Sequence, residues 1–166
     1  MNAAPEAGPA RSAGIRAAEE ADIDRLLSLR RAFFQTQVEA GLLDIPVDPA
    51  ASLEKSTARM IGNRRQFCFV ATRSGEVEGY LLAQLRIAPG MTRTSIGSIE
   101  EIYVSPALRG AGAAARLLES ALGALNEAGA ERLQARVLAE NEAARAFWRK
   151  SGFLDNVVIL ERSDRE

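Results

Sequence analysis

The chain has 166 residues, 47% of them apolar, enough to build one domain around its own core. Its 21 basic and 22 acidic residues nearly cancel, which argues against a broad cationic footprint for nucleic acid. Histidine is absent, so Ser-His-Asp and Cys-His catalysis are excluded and a typical zinc site is disfavoured. Acid–base chemistry is left to carboxylates, Tyr, Lys, Cys, a terminus or water. The single Cys68 excludes an internal disulfide and fits a reducing compartment. Within Phe67-Cys68-Phe69-Val70 it reads as a buried structural thiol. No apolar run approaches the about 20 residues of a membrane span, and the N-terminus lacks a signal peptide's apolar core. A cytoplasmic protein with no metal, no nucleic acid and no membrane partner is expected.

Residues 1 to 13 are rich in Ala, Pro and Gly and are expected as a disordered tail, with residues 14 to 166 as one domain. Ile15 to Ala18 reads as a short first strand. Asp22 suits the N-cap of a helix carrying Ile23, Leu26, Leu27, Phe34 and Val38, stopped by Gly41. Asp48-Pro49 starts a second helix, through Leu53 and Met60 to about Gly62. Phe67 to Thr72 and Val77 to Ile87 form a hairpin turned by Ser74-Gly75. Pro89-Gly90 breaks the pattern before a strand at Ile96 to Val104. A helix follows through Leu117, Leu118, Ala121, Leu122 and Leu125, ending at Asn126 to Gly129. Leu133, Ala135 and Val137 alternate with polar residues as a half-buried strand. Asn141 caps a helix over Glu142 to Lys150 that stops at Gly152, and Phe153 to Glu161 reads as a closing strand. The order predicts an α/β (α+β) domain with a mostly antiparallel sheet. One parallel β-α-β crossover is expected over residues 96 to 138.

The richest segment is Val104-Ser105-Pro106-Ala107-Leu108-Arg109-Gly110-Ala111-Gly112-Ala113-Ala114: a strand end, a glycine loop and a helix start. The first turn of a helix presents N–H groups without internal partners, and its dipole favours an anion there. Small residues let a phosphate approach those donors. A P-loop is disfavoured because Gly-x-x-x-x-Gly-Lys-(Ser/Thr) is missing, and the dinucleotide spacing fails because Ala115 stands where Gly is required.

Arg109-x-x-Gly112-x-Ala114 resembles the pyrophosphate-binding motif (Gln/Arg)-x-x-Gly-x-(Gly/Ala) of the GNAT superfamily of acetyl-CoA-dependent N-acetyltransferases. Asn141-x-x-Ala144-x-x-Phe147-Trp148-x-x-x-Gly152-Phe153 is similar to a second element of that family, Asn-x-x-Ala-x-x-Phe-Tyr-x-x-x-Gly-Phe. Order and spacing agree over about residues 14 to 162. The resemblance implies a GNAT-like fold, with helices on both faces of the sheet, and acetyl-CoA as cosubstrate. It implies further that main-chain groups of Gly110, Ala111, Gly112, Ala113 and Ala114 hold the pyrophosphate, with Arg109 adding charge or acting as a cap. Main-chain groups of Ile102, Tyr103 and Val104 would bind pantetheine and polarise the acetyl carbonyl. Asn141 would touch the coenzyme or simply cap its helix. Phe147 and Trp148 would pack the core or the cofactor wall.

Strand alternation puts Glu100, Ile102 and Val104 on one face and Glu101 and Tyr103 on the other. The resemblance implies a base a few residues before Val104, with Glu100 the first choice and Glu101 the second; a structural ion pair is the alternative for each. Trp148 departs from the family's Tyr, and indole is no practical proton donor. Tyr80 and Tyr103 are the only tyrosines, with packing the favoured role for both. The first two helices, with Phe33, Phe34, Gln35, Gln37, Glu39 and Asp44, would shape the site of an amine acceptor whose class stays open. Val157 to Leu160 is an apolar run that fits a buried strand or a homodimer interface. An N-acetyltransferase leads; an acyl-CoA-binding regulator without turnover and a protein-interaction module are the rivals.

Overall fold

Alternating apolar residues and one tight turn set the centre of the molecule. In the computed structural model, residues 14–42, 50–87, 90 and 95–157 are described. The expected tail, Asp44, the Asp48-Pro49 helix start, Pro89 and the segment from Val158 to Glu161 lie outside the described residues. Five strands, β1 (Gly14–Ala17), β2 (Gln66–Arg73), β3 (Glu76–Ile87), β4 (Ser95–Val104) and β5 (Arg132–Ala135), form one sheet in the order β1-β2-β3-β4-β5. All neighbours are antiparallel except β4 and β5, which run parallel. The helix α3 (Ala113–Glu127) is the crossover between them. Ser74 and Gly75, both at positive φ, turn β2 into β3, as a two-residue hairpin requires.

The strand period divides the sheet into two covered faces. Cys68, Val70, Tyr80 and Leu82 point one way and join Leu26 and Leu29 of α1 (Ile23–Glu39) and Met60, which follows α2 (Ala50–Arg59). Leu81 and Ala83 alternate to the other face, where α3 packs on β2, β3 and β4 with Leu117, Ala121 and Leu125 fully buried. Each such leucine contributes roughly 1.5–3 kcal/mol by leaving water. Gly97 of β4 permits the close packing on this side. A Cβ there would meet Leu133 Cδ2 at 2.9 Å and Leu125 Cδ1 at 3.0 Å.

Asp22 departs from its expected role. It precedes α1, but its carboxylate makes no cap bond to that helix. Instead it takes the Arg16 guanidinium at 2.6 and 2.8 Å and the Glu19 N–H at 2.8 Å. A charged partner and a nearer orphan N–H compete successfully for the same oxygens.

The described residues divide into two compact units between Arg136 and Val137. The second carries α4 (Glu142–Lys150), capped as expected by Asn141 Oδ1, which accepts from Ala144 N–H at 3.0 Å. Its Trp148 ring meets Phe147 and Phe153 edge-on, each with centroids 5.1 Å apart. The closing strand is not found over Phe153 to Val157. Asp155 pairs with Arg145 at 3.2 Å and Arg149 at 2.9 Å, both on α4. Leu154 and Val157 are left exposed.

Candidate active site

The end of β4 leads into a site made of main chain. After Val104, Pro106–Leu108 makes one 3-10 turn, and Gly110 and Gly112 follow at φ 79° and 70°. Those values lie in the left-handed region that favours glycine. A Cβ at either position would meet nothing within 4 Å, so open space lies above the loop. Gly112 is the N-cap of α3, and Arg116 N–H returns to Gly112 O at 3.2 Å. The N–H groups of Ala113, Ala114 and Ala115 precede that bond at the positive end of the helix. This donor set and its uncovered approach fit a pyrophosphate. Arg109 turns its Nε to Val104 O at 3.3 Å, which ties the loop to the strand it leaves.

The second component is the outer edge of β4. In an antiparallel ladder both main-chain bonds are exchanged at every second pair. Ser105 N–H donates to Glu78 O at 2.8 Å. Tyr103 opposite Tyr80 and Glu101 opposite Leu82 are therefore the bonded positions. Ile102 and Val104 turn their N–H and C=O away from β3. The pairing of β4 with β5 ends at Ile99 and Ala135, so among the described residues these two have no strand partner on that side.

The third component corrects an expectation. The ladder slips between Leu82 and Ala83: Leu82 faces Glu101 and Ala83 faces Ile99, leaving Glu100 as the extra residue of a β-bulge. Strict alternation would separate the two acids. Here both reach the face covered by α1. Glu100 Oε1 accepts from Gln84 Nε2 at 2.8 Å, and Gln84 shares the face of Leu82. Glu101 Oε1 and Oε2 receive Arg30 Nη2 and Nε at 2.5 and 2.9 Å, and Oε2 also accepts the Tyr80 hydroxyl at 2.8 Å. The remaining nitrogen of Arg30, Nη1, donates to Ser56 Oγ and Thr57 Oγ1 at 2.8 and 2.9 Å.

The cluster's electrostatics follow from its burial. Desolvation opposes charge on Arg30, but the bonds and attraction of Glu101 outweigh it and raise its pKa. Burial, reinforced by the Glu101 charge, pushes the Tyr80 phenol well above its ordinary value. Burial also pushes the Cys68 thiol up to about 12, so it is a structural thiol. Tyr80 is a core residue whose proton is committed to Glu101. Tyr103 is half-buried, with its ring 6.3 Å from both Phe33 and Tyr80.

Sequence reasoning marked Glu100, Glu101 and Tyr103, which lie together on β4, and the loop from Arg109 to Ala114, which follows it. Asn141, Phe147 and Trp148 lie in the second unit, accounted for there by the cap and the ring cluster. Arg30, Ser56 and Thr57 were missed. One signal was available: Leu26, Leu29, Arg30 and Phe33 share a helical stripe, and an arginine on an apolar stripe calls for a buried acid. Among the described residues no cluster of metal-ligating side chains occurs, and no helix is long and apolar enough to cross a membrane.

A model of the acetyltransferase (GNAT) family matches residues 23–153. No curated protein sequence matches the chain. Among solved structures, a predicted acetyltransferase with acetyl-CoA from Clostridium acetobutylicum superposes with a TM-score of 0.77 at 19% identity, covering 91% of this chain and 96% of its own. AAC(6')-Iy in complex with the bisubstrate analog CoA-S-monomethyl-acetylneamine gives 0.76 at 17%, with 92% and 98% covered. An apo aminoglycoside antibiotic 6'-N-acetyltransferase from Acinetobacter haemolyticus gives 0.74 at 21%, with 92% and 99% covered. At these identities the likeness speaks to the fold.

Proposed function

The chain belongs to the acetyltransferase (GNAT) family, and from that premise we propose that it transfers an acetyl group from acetyl-CoA to a primary amine in a ternary complex. One observation carries the reading: a strand with outward main-chain groups at Ile102 and Val104 runs directly into the Gly110–Gly112 loop and the start of α3. When bound, acetyl-CoA supplies an acetyl group activated as a thioester. The N–H groups from Gly110 to Ala114 would hold its pyrophosphate. Main-chain groups of Ile102 and Val104 would hold the pantetheine arm and stabilise charge developing on the acetyl oxygen, by about 3 kcal/mol per donor.

Glu100 is the proposed base. Among the described residues it keeps one oxygen without a side-chain partner, whereas both oxygens of Glu101 are bonded. Directly or through water, Glu100 takes the proton of the acceptor ammonium. With Tyr80 locked in the core and Trp148 at the family's Tyr position, water protonates the departing thiolate. Phe33, Phe34 and Tyr103 beside the bulge suit an amine with an apolar or ring-shaped body, and the aminoglycoside enzymes among the structural neighbours support an amine acceptor. The lone buried Cys68 suits the reducing cytoplasm.

A screen of amines and peptides with acetyl-CoA, reading thiol release, tests the proposal. Glu100→Gln is expected to lower kcat/KM about 10²-fold; an unchanged rate would remove Glu100 from the mechanism. Trp148, standing at the family's Tyr position, favours a second reading, an acyl-CoA-binding regulator. Coenzyme binding without thiol release across the panel would select it.

A further inference from the structure

The bulge in β4 does more than bring two acids to one face. Glu100 has no partner across the ladder, so the bulge could close if residues 100–104 slid by one position along β3, setting Glu100 opposite Leu82, Glu101 opposite Leu81 and Ile102 opposite Tyr80. Such a slip would exchange the bonded and outward positions. Ile102 would turn its N–H and C=O onto β3, Glu100 would give up its bulged position, and Glu101 would pass to the face of Leu81.

What opposes the slip is a side chain from α1. Arg30 is only 5% exposed and grips both oxygens of Glu101, the residue that follows the bulge. Its third nitrogen is fixed by Ser56 and Thr57 of α2, and Tyr80 closes the cluster from β3. Four elements thus agree on the position of a single carboxylate. A buried ion pair is a weak source of net stability, because desolvation cancels most of the attraction, and its best-attested use is to select one register over another.

We propose that Arg30 is a positioning residue that acts through Glu101 to lock the register of the β4 bulge, and so fixes the outward main-chain groups of Ile102 and Val104 and the carboxylate of Glu100. The consequence for acetyl transfer rests on the functional reading above; the consequence for register does not.

The test uses the full chain with two variants. Arg30→Met/Glu101→Leu replaces the pair by apolar groups that leave no buried charge, and Arg30→Lys keeps the charge but not the two-point grip. Melting temperature, amide exchange along β4, acetyl-CoA affinity, and kcat and KM for an amine taken from the screen are compared with wild type. The expected result for the double variant is a melting temperature only a few degrees lower, because the Tyr80 hydroxyl loses its acceptor, and an acetyl-CoA Kd raised at least about threefold as the groups of Ile102 and Val104 lose their orientation. Its kcat falls at least about tenfold with little change in amine KM, and the amides of Glu101 and Tyr103 exchange at least about tenfold faster. Arg30→Lys moves the same readouts in the same direction by about threefold or more. Wild-type kcat together with wild-type protection at Glu101 and Tyr103, in either variant that folds, would overturn the proposal. If the wild-type protein transfers acetyl to no amine, the functional reading fails, and the exchange pattern alone then decides the role of Arg30.

Discussion

The loop at the start of α3 and the cluster around Glu101 solve opposite problems with opposite materials. The loop offers backbone donors to solvent, uses residues without bulky side chains and spans a dozen consecutive positions. The cluster hides an arginine, an acid, a tyrosine and two hydroxyls, and joins residues up to 71 apart in sequence. The loop depends on backbone conformation and open approach; the cluster depends on complete satisfaction of buried charge. A change that one tolerates is therefore the change that damages the other.

The largest effect is expected from removing one partner in the cluster. Arg30→Ala leaves the Glu101 carboxylate buried without its ion pair, which costs about 3–5 kcal/mol. Chemical denaturation is the measurement. A loss below about 1 kcal/mol would mean that water reaches Glu101 in the variant, and the contrast with the loop would collapse. In the loop, Gly112→Val forces a β-branched residue into the left-handed region at a cost of about 1–2 kcal/mol. It also places bulk where the phosphate would approach, so Kd for coenzyme A should rise at least about tenfold, read by calorimetry. Wild-type affinity would show that the ligand does not use this approach.

The same contrast explains what was legible in the sequence. The loop was visible because its determinants are neighbours: a strand, a Pro turn, two glycines and a helical pattern occur in order, and the family motifs add the ligand class. The hairpin at Ser74-Gly75 and the cap at Asn141 were legible for the same reason. The bulge was not, because a period of two carries no mark for one extra residue. It shows only when β4 is laid against β3, and it reversed the expected separation of Glu100 from Glu101. Arg30 left a trace on the stripe of α1, but its partner could be named only from the fold. At Phe153 to Val157 the apolar residues suggested a strand, but none forms there, and Asp155 pairs with Arg145 and Arg149 of α4 instead.

A third ion pair, between the two extremes, sharpens the rule. Arg16 and Asp22 are six residues apart; the Asp22 side chain is buried and that of Arg16 is 40% exposed. The Arg16 bond is the main force lowering the Asp22 pKa, the Glu19 N–H assists, and burial opposes both. Solvent around Arg16 screens the pair, so Asp22→Asn should cost about what a lost helix cap costs, near 1 kcal/mol at pH 7. The sign of its pH dependence follows from the direction of the shift. The folded-state pKa lies below the unfolded value of about 4, so the contribution is complete above that value and fades as pH falls through the lowered folded pKa. Wild type and Asp22→Asn should therefore converge in stability under acid and stay apart from pH 5 upward, as urea denaturation across pH can measure. A gap of constant size from pH 7 to pH 2 would mean that the Asn amide fails for steric reasons and that charge contributes nothing there. Convergence would place Arg16–Asp22 with the loop, as a local and solvent-tuned device, and leave Arg30–Glu101 as the pair whose value lies in register.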